Sequence, residues 1–258
     1  MADGVSFNRQ DRAPPEAGGA EADPLGLCGH DRSAVLSDVS AHRLRDLAPP
    51  AAGGALRCRQ ILVELLRPFG GDARRSADSL IDAFGSLSGV FAAGPAAQRD
   101  VLGRHSAAID HLETVREAML HALRCDAFVG PVLGDSEALL SYLAFDMARL
   151  ATERLRVLYL NAANRLLADE VAVEGSVNAA HVMPRVIMRK ALDLGATALI
   201  LVHNHPSGDP TPSRDDVEAT RRIAAAGLAL DVCIHDHIIV AGGGWTSFRA
   251  LGLLRAAA

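Results

Sequence analysis

The chain has 258 residues, 49% of them apolar and 22% charged, which is enough for one large or two small domains with their own cores and unlike a disordered or fibrous protein. Its formal net charge of −5 gives no global attraction to a polyanion, so any nucleic-acid binding must be local. No apolar run approaches the ~20 residues of a membrane-spanning helix, no basic-then-apolar leader opens the chain, and Cys28, Cys58, Cys125 and Cys233 lie far apart; these features point to a cytoplasmic protein, not in a membrane and without a disulfide framework.

Residues 1–30, rich in Gly, Pro, Ala and acid without periodic apolar positions, read as a disordered leader. Residues 31–125 read as a small all-α domain, with Ile61, Leu62, Leu65 and Leu66 on one helical stripe and Leu80, Ile81, Phe84, Leu87 and Phe91 on another. Gly130, Pro131 and Gly134 interrupt that period and make 126–135 the expected linker.

From 136 to 258 the texture becomes that of an α/β (α+β) domain. A helix is expected from Glu137 to about Thr152, on the spacing of Leu139, Leu140, Leu143, Met147 and Leu150. Leu155–Leu160 and Leu166–Val173 flank the turn-forming Asn161-Ala162-Ala163-Asn164 and predict an antiparallel hairpin. Pro184 opens a helix that Gly195 closes, and Thr197–Val202 is a strand apolar enough for burial on both faces. Beyond a Pro-rich loop come a helix over Ser213–Ala226 and two strands, near Leu228–His235 and Asp236–Ala241.

The chemistry concentrates in His203-Asn204-His205-Pro206-Ser207-Gly208-Asp209-Pro210-Thr211-Pro212-Ser213-Arg214-Asp215-Asp216. On extended backbone, residues two apart share a side, so His203 and His205 can offer both imidazoles to one metal ion. Three prolines stiffen the loop, Gly208 allows a sharp turn, and the next helix returns the Asp216 carboxylate in its first turn. A His₂Asp set leaves zinc a fourth position for water, which acidifies to a pKa near ~7; such open sites suit hydrolysis of an amide or ester. Ser213 and Asp216 also have the spacing of a capping box, which accounts for that pair without a metal but leaves the two histidines unexplained.

The spacing His-x-His, seven residues, Ser, two residues, Asp resembles the signature of JAMM (MPN+) metalloproteases. The wider string, with Gly175-Ser176-Val177-Asn178, Pro184-Arg185 and Asp236-His237, resembles the RadC family over about residues 136–258. The resemblance implies a cytidine-deaminase-like JAB/MPN domain, a mixed sheet flanked by helices, behind a small helix-hairpin-helix-like domain. It implies Zn²⁺ on His203, His205 and Asp216, Ser213 as donor to the oxyanion, a peptide or protein substrate, and a glutamate just before the first strand as general base. Glu153 holds that place, with Glu170 and Glu174 as rivals; His235 and His237 are left outside the ligand set. Two departures stand out: Val186 follows Pro184-Arg185 where the family has glutamate, and the usual acid is missing from Ser247-Phe248-Arg249-Ala250. In the helical half, Gly103-Arg104-His105 replaces a Gly-x-Gly phosphate-binding turn, while Phe84-Gly85-Ser86-Leu87 keeps the family pattern. The second reading is an accessory DNA-transaction protein whose helical half binds nucleic acid or a partner.

Overall fold

A computed structural model describes residues 52–103, 106–134, 136–175 and 183–254. The expected leader, Arg104-His105 and Ser176-Val177-Asn178 lie outside the described residues. Residues 31–51 of the expected all-α domain also lie outside the described residues; the described part contains α1 (Ala52–Leu66), α2 (Ala73–Phe84), α3 (Leu87–Ala92), α4 (Gly94–Leu102) and α5 (Ser106–Phe128). The apolar stripes meet in one core of Leu62, Leu66, Ala77, Leu80, Val90, Phe91 and Leu112. The second stripe is divided between two helices: Gly85, left-handed at φ 77°, ends α2, and the Ser86 side chain accepts the Gly89 N–H to start α3.

Residues 126–135, expected as a linker, are structured along most of their length. α5 continues to Phe128, and Val132 and Leu133 are buried because their side chains complete the core beneath α6 (Ser136–Met147). No described helix is long and apolar enough to cross a membrane.

The sheet contains β1 (Arg154–Leu160), β2 (Leu166–Glu174), β3 (Ala198–His205), β4 (Cys233–Ala241) and β5 (Gly244–Ser247), in the order β2-β1-β3-β4-β5. β3 and β4 are parallel and the other neighbours antiparallel. On one face α7 (Pro184–Leu194) and α8 (Arg214–Leu228) cover Leu155, Val157, Leu199, Leu201 and Ile239. On the other, α6 covers Leu158, Leu160, Ile200, Val202, Ile238 and Val240. The mixed sheet between helical layers is the α/β architecture expected, but two details differ. The first helix stops at Met147, and the last two expected strands are one strand followed by β5. Leu199 pairs with Ile234 and Ile200 with Asp236, so His235 is an extra residue in a bulge. That bulge interrupts the alternation and mimics a strand end in the sequence.

The α6 face holds a buried ionic cluster. Arg156 of β1 bonds Asp146 of α6, the Tyr142 hydroxyl at 2.5 Å and Asp169 of β2 at 3.2 Å; Tyr142 donates to Asp169 at 2.6 Å, and Arg116 of α5 reaches Asp146 at 3.4 Å. The cluster fastens α5 and α6 to the sheet through groups that are costly to leave unpaired. Replacing Arg156 with Leu takes the nearest cation from two buried carboxylates, which keep Arg116 and the Tyr142 hydroxyl, and should cost about 3 kcal/mol in urea unfolding, whereas Arg116→Leu costs less.

His235 supplies a second check. Burial first, and the nearby Arg249 second, lower its pKa to about 4. As pH falls through ~6.5 the unfolded chain takes up this proton before the folded chain does. The stability contributed by neutral His235 is therefore complete above ~6.5 and lost towards about 4, with a slope of at most about 1.4 kcal/mol per pH unit. Urea midpoints recorded between about pH 7 and 5 should fall in wild type and fall less steeply in His235→Asn.

Candidate metal centre

The alternation along β3 decides where its last side chains go. Leu199 and Leu201 face α7 and α8, so His203 and His205 emerge on that face beyond them, while Asn204 belongs to the face of Ile200 and Val202. α8 starts over the same end of β3 and delivers Asp216. His203 Nδ1 lies 3.0 Å from Asp216 Oδ1, and His205 Nε2 lies 3.4 Å from Asp216 Oδ2. The two rings are perpendicular with centroids 4.9 Å apart, and one donor atom from each of the three residues lies within 4.8 Å of the others. The structure thus brings together the three residues expected as ligands.

The local chemistry fits a metal ion. The His205 Nδ1 atom faces the Asp209 carbonyl at 2.8 Å, to which it can only donate, so Nε2, the ring nitrogen facing Asp216, is the one a metal ion would take. His203 Nε2 is buried with no hydrogen-bond partner among the described residues, a polar atom that an ion would satisfy. Burial opposes ionisation of Asp216, but hydrogen bonds from His203, His205 and Ser213 outweigh it and hold the carboxyl well below the usual range. The same contact with Asp216 raises the pKa of His205. Two imidazoles and one ionised carboxylate form a borderline N/O donor set compatible with zinc, three protein donors among the described residues.

Ser213 caps α8. Its hydroxyl donates to Asp216 Oδ2 at 2.6 Å, its N–H donates to the same oxygen at 2.8 Å, and its oxygen accepts the Asp216 N–H at 3.1 Å. The capping box and the triad therefore share one carboxylate. The Thr220 hydroxyl donates to the Asp216 carbonyl at 2.6 Å and lies 2.7 Å from His237 Nδ1. Burial first, and the neighbouring His203 second, lower the His237 pKa to about 3, so its ring is neutral. His237 braces α8 from within the sheet, and His235 bonds Asn164 at 2.8 Å.

Among the three glutamates, Glu153 Oε2 lies 4.0 Å from His203 Nε2 with 35% of its side chain exposed. Glu170 pairs instead with Lys190 at 2.6 Å, and Glu174 with Arg154 at 2.6 Å. Glu153 is thus the glutamate placed at the mouth of the cluster.

Sequence reasoning passed over Asn204, which is 0% exposed. Its carbonyl accepts the Arg154 N–H at 2.8 Å and its amide donates to the Thr152 carbonyl at 3.0 Å, which grips the backbone on both sides of Glu153. Gly175 N–H adds a bond to the Glu153 carbonyl at 3.0 Å. A polar residue ending an apolar strand was the available signal. Asn204→Ala should cost about 1–3 kcal/mol, and hydrogen exchange should show the Arg154 amide opening about tenfold faster or more. Unchanged exchange there would contradict the grip.

The family model described as RadC-like JAB domain matches residues 133–253. A UPF0758 protein of Rhodobacter capsulatus is 44% identical over 183 residues, covering 71% of this chain and 86% of that relative.

Proposed function

The chain belongs to the RadC family of JAB-domain proteins, and on that premise we propose that it is a zinc-dependent hydrolase of the JAMM type acting on a peptide or isopeptide bond. The observation that carries the reading is the convergence of His203, His205 and Asp216 on one point at the end of β3, with the Glu153 carboxylate beside it. Zinc bound there would supply an acidified water with a pKa near ~7 and polarise the scissile carbonyl.

The side chains divide the remaining work. His203, His205 and Asp216 would hold the ion, the first two from a rigid strand and the third from a helix end. Glu153, half-exposed at the mouth, would take a proton from the attacking water and return it to the leaving amine. Ser213 would donate its hydroxyl to the carbonyl oxygen as negative charge develops there. That hydroxyl now points at Asp216 Oδ2. A carboxylate shared with a cation is a weaker acceptor, which would free the hydroxyl to turn.

Two measurements test this reading. Plasma mass spectrometry on protein purified without added metal should find about one zinc in wild type and in Glu153→Gln, and none in the His203→Ala/His205→Ala double variant. Mass-spectrometric analysis of a peptide library containing linear and lysine-branched members should show cleavage by wild type, reduced about 100-fold or more in Glu153→Gln at equal zinc content. Zinc-loaded wild type that leaves the whole library intact would overturn the hydrolase.

A further inference from the structure

The loop between His205 and α8 stabilises itself mainly through local contacts. Gly208 N–H donates to the His205 carbonyl at 3.1 Å, the Thr211 N–H and hydroxyl donate to Asp209 Oδ1 at 2.9 and 2.7 Å, and His205 Nδ1 meets the Asp209 carbonyl at 2.8 Å. Among the described residues, the hydrogen bond that ties the backbone of this loop to another part of the fold is Gly243 N–H to the Gly208 carbonyl, at 2.9 Å. Gly243 stands in the β4–β5 turn. Because β3 and β4 are parallel and in register to His205 and Ala241, that turn continues alongside the loop as the two strands end.

The three consecutive glycines of that turn differ in their surroundings. A Cβ on Gly242 would meet nothing within 4 Å, and Gly244 has a φ of 146° that disfavours other residues. A Cβ on Gly243 would stand 2.6 Å from the Gly208 carbonyl oxygen, its own hydrogen-bond partner. That is backbone against backbone, and one side must move. Gly208 is one residue from Asp209, whose carbonyl orients the His205 ring, so a shift there reaches the imidazole within one residue.

We infer that Gly243 is a positioning residue for the metal centre: its close backbone contact with Gly208 holds the loop so that the Asp209 carbonyl presents His205 Nε2 to the ion. The inference rests on the zinc reading for its consequence and on the contacts of Gly243, Gly208 and Asp209 for its mechanism.

The test compares full-length wild type, Gly242→Ala and Gly243→Ala, each first checked for an unchanged circular dichroism spectrum. Zinc affinity is measured by competition with a chromophoric chelator. The ring-nitrogen NMR shifts of His205 are recorded on the metal-free proteins at alkaline pH, where the imidazole is neutral, with buried His237 as internal control. Gly243→Ala should weaken zinc binding about tenfold or more, the scale of an orienting contact behind a ligand, and move the His205 shifts away from the Nδ1-protonated pattern. Gly242→Ala should change neither, and the His237 signals should stay in place in both variants. Wild-type affinity and unchanged His205 shifts in Gly243→Ala would overturn the inference. If wild type binds no zinc, the hydrolase reading falls, while the His205 shifts of the metal-free variants still decide whether Gly243 sets the ring.

Discussion

Burial of β3 on both faces is the constraint from which the site follows. An apolar strand in the middle of a sheet has its side chains assigned alternately to two cores, so its two faces cannot exchange without turning the whole strand over. Leu199 and Leu201 are committed to the α7–α8 layer, Ile200 and Val202 to the α6 layer, and the polar triplet that follows inherits the same alternation. The histidines go to the face where α8 begins. Asn204 is turned inward, to the edge of Glu153. The apolar core thus aims three polar side chains, two towards Asp216 and one towards the backbone on either side of Glu153.

Asp216 carries two duties that rely on the same ionised form. It completes the capping box of α8, where negative charge in the first turn also favours the helix dipole, and it is the acid towards which both imidazoles point. Hydrogen bonds from the histidines and the serine keep the carboxylate charged despite its burial. The same ionised carboxylate therefore serves the helix end and faces both imidazoles.

Much of this was legible in the sequence because it depended on local spacing. His203, His205, Ser213 and Asp216 are close in the chain and sit on elements whose periodicity is clear, so their convergence could be deduced. Glu153 could not be deduced in that way: an acid between a helix and a strand looks solvated, and the resemblance to a family singled it out. Structure separates it from Glu170 and Glu174 through ion pairs with Lys190 and Arg154 that no local pattern encodes. The bulge at His235 misled the reading of β4, since one extra residue shifts the alternation as a strand end does. Asn204, Thr220 and Gly243 act on backbone or side chains distant in sequence, and Arg156 lies in a strand whose burial hides its charge among apolar neighbours. Their roles appear only when the elements are docked.

The contacts that hold the centre come from opposite directions. On one side Asn204 grips the backbone around Glu153; on the other Gly243 grips the loop behind His205, and Thr220 and His237 support the start of α8. The β4–β5 turn that contributes Gly243 also faces the helical half. Gly242 lines a cavity of about 300 Å³ together with Ser88 of α3, Leu123 of α5 and Phe145 of α6. Behind it, the Arg156 cluster fixes α5 and α6 against the sheet. The β4–β5 turn thus has the cavity on one side and, through the Gly243 N–H, the loop behind His205 on the other.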